Sequence, residues 1–363
     1  MDLTTLRLKD FRNIPVLQLE LHSKLNFLFG PNGAGKTNLL EAIHLLLEGG
    51  SFRTGDFRNL IRQGQSAAGI VAQISQKNGA QEIRASLDEE RKRFWKDGKT
   101  TNGAGLSHLF AVLFAPEEVI ILKGSPAGRR ERVDSLLKKL SPNYRAAFRD
   151  YQKVLLQRNR FLKDAVLSDT VLSDKDIQTN LSPWNETLVN AGSVLIAERR
   201  EWIAKWSRRI EIHYDEIAGK SSRANFVYLP NVEEDRFLEE LENARELELV
   251  RGLSLVGPHR DDIQPRIGDQ EVKRFGSQGE ARTFTLAMKI AEIDLFREVW
   301  QEDPVLLLDD VASELDENRN RSFFQYLSSY GGQVFVTATS EELVPLKKLP
   351  EFRHWKLPLT TLF

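Results

Sequence analysis

The chain has no cysteine, which removes disulfides, thiolate metal ligands and thiol nucleophiles together. Its six histidines are scattered without the spacing of a metal site. No apolar run approaches the roughly 20 residues of a membrane helix, and the opening MDLTTLRLKDF lacks the basic-then-apolar pattern of a signal peptide. A cytoplasmic location is expected. The net charge of -1 gives no overall basic field, so contact with nucleic acid has to rest on local patches. Internal repeats and low-complexity stretches are missing too. What remains is the composition of a globular protein, 41% hydrophobic and 28% charged over 363 residues, enough for one large or two modest domains.

The first positive signal lies at Gly30 to Thr37, GPNGAGKT. It follows the apolar NFLFG and precedes Asn38 to Glu48, where Leu39, Leu40, Ile43, Leu46 and Leu47 recur at helical spacing. A strand, a glycine loop and a helix in that order make a phosphate cradle. Gly30, Gly33 and Gly35 permit the tight turn, and the loop with Pro31, Asn32 and Ala34 wraps the phosphates at the positive end of the helix. Lys36 reaches the β- and γ-phosphates of ATP, and the Thr37 hydroxyl is placed to bind Mg²⁺.

Near the other end, Val305 to Leu308 is apolar at every position, as in a central parallel strand. Asp309 and Asp310 stand at its C-terminal edge, where ligands bind in such sheets. Asp309 fits the acid that holds Mg²⁺, and Asp310 the one that polarises the attacking water; the alternative is that both cap the next helix. FGSQGEAR sets Ser277 and Gly279 before a long helix, a second anion site for which a nucleotide on one subunit has no use.

Between these motifs the pattern changes twice. Strands are expected around Ala68 to Ser75, Glu82 to Leu87, Lys92 to Lys96 and Leu109 to Phe114, with Asp97-Gly98 as a hairpin turn. From Pro126 to about Ala218 the spacing is helical, Ser168 to Thr179 reads as the turn of a helical hairpin, and Ser182-Pro183 is expected to open its return helix. Such helices form either a short arm or a compact subdomain. From Ser254 the α/β character returns. Residues 1–115 and 254–363 are thus assigned to one lobe, and 116–253 to an inserted helical lobe. Basic clusters at Arg91, Lys92, Arg93 and Lys96, interleaved with Phe94 and Trp95, and at Arg129 and Arg130, are candidates for DNA contact; Arg199, Arg200, Arg208 and Arg209 add further charge. A solvated face is the alternative for each.

The glycine loop, the late Ser-Gln-Gly, the apolar strand ending in two acids and SELD resemble the ABC-type ATPases. Within them, FRN at Phe11 to Asn13, SFRT at Ser51 to Thr54, LFAPEEV at Leu113 to Val119, KGSPAGRRERVD at Lys123 to Asp134 and LVGPHRDDI at Leu255 to Ile263 resemble the RecF family of bacterial DNA-repair ATPases. The resemblance implies an α/β fold, an ABC-type P-loop ATPase lobe with an inserted second lobe carrying a short antiparallel helical arm. It implies that Arg12 and Asn13 contact the nucleotide, that Ser277 completes the site of a partner subunit in an ATP-bound homodimer, and that Ser313 to Asp316 cross the dimer interface. It further implies binding of gapped or junction DNA, slow ATP hydrolysis, work with RecR and RecA, and a part in replication and SOS induction. Asp310 stands where the wider group has glutamate, no histidine follows QVFV, and the coupling glutamine has only weak candidates in Gln63 and Glu117. The rivals are a transporter's ATPase subunit, disfavoured by the 240 positions between Thr37 and Ser277, a nuclease-associated ATPase, which needs a metal-binding domain after the ATPase, and a structural SMC-like protein.

Overall fold

Leu6 and Leu8, then Leu17 and Leu19, alternate with polar residues, and a two-residue period puts each pair on one face of a strand. The computed structural model, which describes residues 1–76, 79–101, 106, 108–115, 118–167, 174–310, 327, 329–344 and 351–357, realises this pattern. In chain order, β1 (Asp2–Phe11) pairs with β2 (Ile14–Glu20); β3 (Leu25–Phe29) leads into α1 (Lys36–Glu48); then come β4 (Ala67–Gln76), β5 (Gly79–Asp88), β6 (Lys92–Lys96), β7 (Lys99–Thr101) and β8 (Ala111–Phe114). Six of these form an antiparallel sheet in the order β2-β1-β4-β5-β6-β7. One face buries Leu6, Leu8, Leu17, Leu19, Ile70, Ala72, Ile83, Ala85 and Phe94 in the same core as Leu39, Ile43 and Leu46 of α1. The other face carries the polar half of each strand.

A second compact unit spans Glu118–Ala291. It contains α2 (Val119–Lys123), α3 (Pro126–Leu140), α4 (Pro142–Leu167), α5 (Asp174–Ala218), β9 (Ala224–Leu229), α6 (Phe237–Arg251), β10 (Asp262–Ile267), β11 (Gln270–Glu271), α7 (Val272–Phe275) and most of α8 (Gln278–Trp300). α4 and α5 lie antiparallel: Arg158 bonds Asn185, Asn143 bonds Glu198, and Phe161 meets Trp184 edge-on. At 1.5 Å per residue they run about 40 Å and about 65 Å. α6 flanks the pair, with Leu249 against Leu162 and Leu181.

The chain then returns to the first unit, Met1–Glu117 with Glu292–Phe363, through β12 (Val305–Leu308), β13 (Val334–Ala338) and β14 (Phe352–Lys356). Their parallel sheet has the order β14-β3-β13-β12-β8, and β12 and β13 are buried at every position, as strands covered on both faces must be. Buried Gln333 ties the two sheets of this unit together, donating to the Leu3 and His22 carbonyls and accepting from the Leu3 N–H. No helix among the described residues is long and apolar enough to cross a membrane.

Two expectations need correction. The stretch 254–291 belongs with the helical unit, because β10 pairs with β9 and Asp262 is clamped by Arg129 of α3. Nor does Ser182-Pro183 open a helix: α5 begins at Asp174 and carries Pro183 inside it, on an exposed position. The hairpin turn expected at Ser168 to Thr179 falls largely outside the described residues, and from Asp174 the chain is helical.

Candidate nucleotide site

β3 is buried at all five positions and delivers the loop Gly30 to Gly35 to the C-terminal edge of the parallel sheet. Two glycines are sterically required. A Cβ on Gly30 would collide with the Leu357 carbonyl oxygen, and Gly35, at φ 98°, holds the left-handed cap of α1 with Asn13 Oδ1 3.0 Å from where a Cβ would stand. Lys36 is almost buried, and its ammonium donates to the carbonyls of Gly30 and Pro31 at 2.5 and 3.0 Å. Burial lowers its pKa, opposed by the charges of Asp310 and then Asp309. The cation is thus held over the loop, beside both acids.

Thr37, in the first turn of α1, donates from Oγ1 to Asp309 Oδ1 at 3.0 Å, which joins the loop to the end of β12. A second hydroxyl meets the same oxygen: Thr337 Oγ1 donates to Asp309 Oδ1 at 2.8 Å and accepts from the Asp310 N–H at 2.9 Å. Asp310 itself sits at φ 52°, a strained conformation for an aspartate. Thr337 was not singled out by sequence reasoning. The signal was a polar residue within a buried strand: β13 pairs with β12 through Leu308 and Val336, so the next residue of each chain, Asp309 and Thr337, come side by side. Thr37 and Asp309 offer hard oxygen donors of the kind Mg²⁺ takes. Among the described residues no cluster of three or more His, Cys, Asp or Glu is placed to hold a metal ion by itself.

The flank of the loop is braced by a buried acid. Glu41 is fully buried on α1, and Arg12 grips it with two bonds of 2.8 and 2.7 Å while donating a third to the Asn59 carbonyl. Ser51 donates to the same carboxylate at 2.5 Å. Arg53 donates to Asn38, Asn38 to Asn13, and Asn13 to the Gly33 carbonyl. Arg12, expected to touch nucleotide, therefore has its guanidinium committed to Glu41 and Asn59, whereas Asn13 stands against the loop itself. Glu41 was legible only as a charge on the apolar side of a helix.

Ser277 is exposed and serves as the N-cap of α8. It accepts from the Glu280 N–H at 3.2 Å, while Glu280 accepts from both the Ser277 N–H and its hydroxyl at 3.0 and 2.8 Å. This reciprocal pair is a capping box, and it holds the Glu280 carboxyl below its ordinary pKa. Gly279 is exposed with open space where a Cβ would be, and Phe275, two residues before Ser277, is 66% exposed.

The basic candidates separate. Arg129 is 3% exposed and bonded through both Nε and Nη2 to Asp262, so it presents no open guanidinium to a phosphate; Arg130 is half-buried, with Nη1 donating to the Asp261 carbonyl. Arg199 is buried, and Arg200 pairs with Glu233 and Glu234. On β6, Lys92 and Lys96 pair with Leu87 and Ile83 and so share the buried face, while Arg93 shares the open face. Arg91 is exposed in the turn before them. Gln63 is exposed, and Glu117 and Ser313 to Asp316 lie outside the described residues.

Known proteins similar to this chain agree with one another. The profile of the RecF/RecN/SMC N terminal domain matches residues 2–348. The DNA replication and repair protein RecF of Ruminiclostridium cellulolyticum is 34% identical over 94% of this chain and 94% of its own, and that of Lactobacillus johnsonii is 34% identical over 98% and 97%. A solved structure of the recombination mediator protein RecF, described as RecF-ATP in the RecFOR pathway, covers 98% of this chain and 95% of its own, at 27% identity and a TM-score of 0.89.

Proposed function

The chain belongs to the RecF family of DNA replication and repair proteins, with the ABC-type ATPase fold of that family, and from this premise we propose that it is an ATP-controlled clamp for gapped or junction DNA. The observation that carries the reading is the 3.0 Å bond from Thr37 to Asp309, which brings the phosphate loop and the acidic strand end to one point. Lys36 neutralises the β- and γ-phosphates, and Thr37 and Asp309 hold Mg²⁺, which supplies charge stabilisation as the terminal phosphate leaves. Asp310, one residue beyond the metal-holding acid, orients the attacking water. Its short side chain makes hydrolysis slow, a timer more than an engine.

The reading extends across two copies. Exposed Ser277 and Gly279, at the N-terminus of α8, meet the γ-phosphate bound by a partner copy, so ATP drives dimerisation and hydrolysis releases the DNA. In recombinational repair the clamp marks gapped DNA for RecR and assists RecA loading, replication restart and SOS induction.

Sedimentation with and without ATP and Mg²⁺, on gapped and on intact duplex, tests this. Wild type should double its mass with ATP and retain gapped DNA; Lys36→Ala should lose ATP binding. Ser277→Arg should bind ATP yet stay monomeric, after a loss of about 1 kcal/mol from the helix cap. A dimer that survives Ser277→Arg removes the cross-subunit site. Unchanged mass and DNA binding with ATP remove the clamp.

A further inference from the structure

The open face of the six-stranded sheet sorts its side chains into rows that no linear motif reveals. Register places Gln18, Arg7, Val71, Arg84, Trp95 and Thr100 in one line across all six strands. The neighbouring line holds Val16, Lys9, Gly69, Ser86 and Arg93. Neither line contains an acid. Carboxylates border the pair instead, with Glu20 and Glu82 in the row on one side and Asp88 on the other. Glu82 is engaged by Gln73, and Asp88 by Arg93 at 2.7 Å. Arg7, Lys9 and Arg84 are exposed and make no ion pair among the described residues. Three cations are thus left facing solvent on one face of the sheet.

The surface between them is low. Gly69 has open space where a Cβ would be, and Ser86 and Val71 are small, so Arg7 and Lys9 on one side and Arg84, Trp95 and Arg93 on the other bound a shallow trough. With strands about 4.8 Å apart the rows span about 24 Å, the reach of a single-stranded site of roughly four nucleotides or more. At one end, Trp95 is partly exposed, with the Arg84 guanidinium 5.7 Å from its ring centre. An aromatic ring beside cations serves a base that is free to unstack, which a base inside a duplex is not.

We propose that this face of the sheet seats a single-stranded segment of nucleic acid, with Arg7, Lys9 and Arg84 on its phosphates and Trp95 stacked on a base. The proposal rests on the reading of the chain as a DNA-binding protein. It replaces Lys92, Lys96 and Arg129 as contacts and keeps Arg93 at the margin, already half-neutralised by Asp88.

The test is fluorescence anisotropy of a labelled oligo-dT of about 20 nucleotides with full-length protein, ATP and Mg²⁺, over a salt series. Arg7→Gln/Lys9→Gln/Arg84→Gln should weaken binding more than tenfold and lower the salt slope by about 2, from roughly 0.7 per phosphate contact. Trp95→Val, which keeps a strand-forming side chain on the open face, should weaken binding about tenfold and leave the salt slope unchanged. ATP affinity equal to wild type shows that both variants are folded. If wild type binds no oligonucleotide under any nucleotide condition, the DNA-binding reading itself fails. If wild type binds and both variants match it in affinity and slope, DNA binding stands and this face is not its seat. If blunt duplex binds as tightly, loses as much in the triple variant and ignores Trp95→Val, the face follows duplex phosphates and the single-strand assignment is wrong.

Discussion

Asp261 and Asp262 stand at the start of β10 in the second unit, and Asp309 and Asp310 follow β12 in the first. As dipeptides the two pairs are identical. Asp261 is fully buried and held by Arg199 at 2.8 Å, by the Tyr228 hydroxyl at 2.5 Å and by the Asn231 N–H at 2.8 Å, while Asp262 takes the fork of Arg129. Burial raises the Asp261 pKa, and Arg199 leads the groups that hold it down. Asp309 is met by the hydroxyls of Thr37 and Thr337, beside the ammonium of Lys36. A carboxylate locked by guanidinium forks serves to fix chain segments. One met by hydroxyls at the open end of a parallel sheet can exchange those partners for a metal ion. Function follows the partners, which the topology chooses, and the residue type alone does not reveal it.

The sharpest way to break this comparison is Arg199→Met. Arg199 also donates to Asp134, Tyr144 and the Pro258 carbonyl, so its loss strands two buried carboxylates at once. Breaking a buried pair from one side costs about 3–5 kcal/mol, and denaturant unfolding should show a loss of that size. ATP titration at a temperature where the variant remains folded should match wild type. A loss below about 1 kcal/mol, or a matching fall in ATP affinity, would mean that the two carboxylate settings are not distinct in the way described.

A second test uses pH. Tyr151 donates to His259 Nδ1 at 2.6 Å, and Nε2 of the ring donates to the Ser254 carbonyl at 3.1 Å, so the imidazole is held neutral. Burial depresses its pKa from 6.5 to about 4. Because the folded pKa is the lower one, the unfolded chain takes up the proton first as pH falls. This contribution is therefore complete above pH 6.5 and is lost between about 6.5 and about 4, amounting to roughly 3 kcal/mol. His259→Gln can still accept from Tyr151 and donate to Ser254, yet cannot titrate. Its unfolding free energy should be flatter across that window, and an unchanged slope would place the acid sensitivity elsewhere.

Much of this was open to sequence reasoning where a local pattern decides structure. The glycine loop between β3 and α1, the limits of β6 at Lys92 and Lys96, the Asp97-Gly98 turn and the buried strand just before Asp309 all follow from periodicity and turn chemistry. What escaped depends on pairing at long range. The place of residues 254–291 is set by β9 and by Arg129, far away in the chain. The role of Glu41 is set by Arg12 and Ser51. The basic run from Arg91 to Lys96 reads as one cluster along the chain, yet a strand sends Arg93 and its two lysine neighbours to opposite faces. Pro183 was misread because a proline near a helix start is common, whereas one tolerated on the exposed side of a long packed helix leaves no local mark.

Thr337 sharpens the comparison from the other side and with the smallest effect. Its hydroxyl joins Asp309 to the backbone of Asp310, so it sets both the direction of the Asp309 carboxylate and the turn after it, where Asp310 holds a positive φ. Thr337→Val preserves shape and β-branching while deleting both bonds, at a cost of about 1–2 kcal/mol in stability. The more specific readout is the Mg²⁺ dependence of ATP binding. A carboxylate that has lost one of its two hydroxyl guides should require several-fold more Mg²⁺ for the same ATP affinity, while binding without Mg²⁺ changes little. Thr337→Ser keeps the hydroxyl and should restore the wild-type dependence. If valine and serine behave alike, Thr337 only fills space in β13, and the hydroxyl setting of Asp309 loses half of its basis.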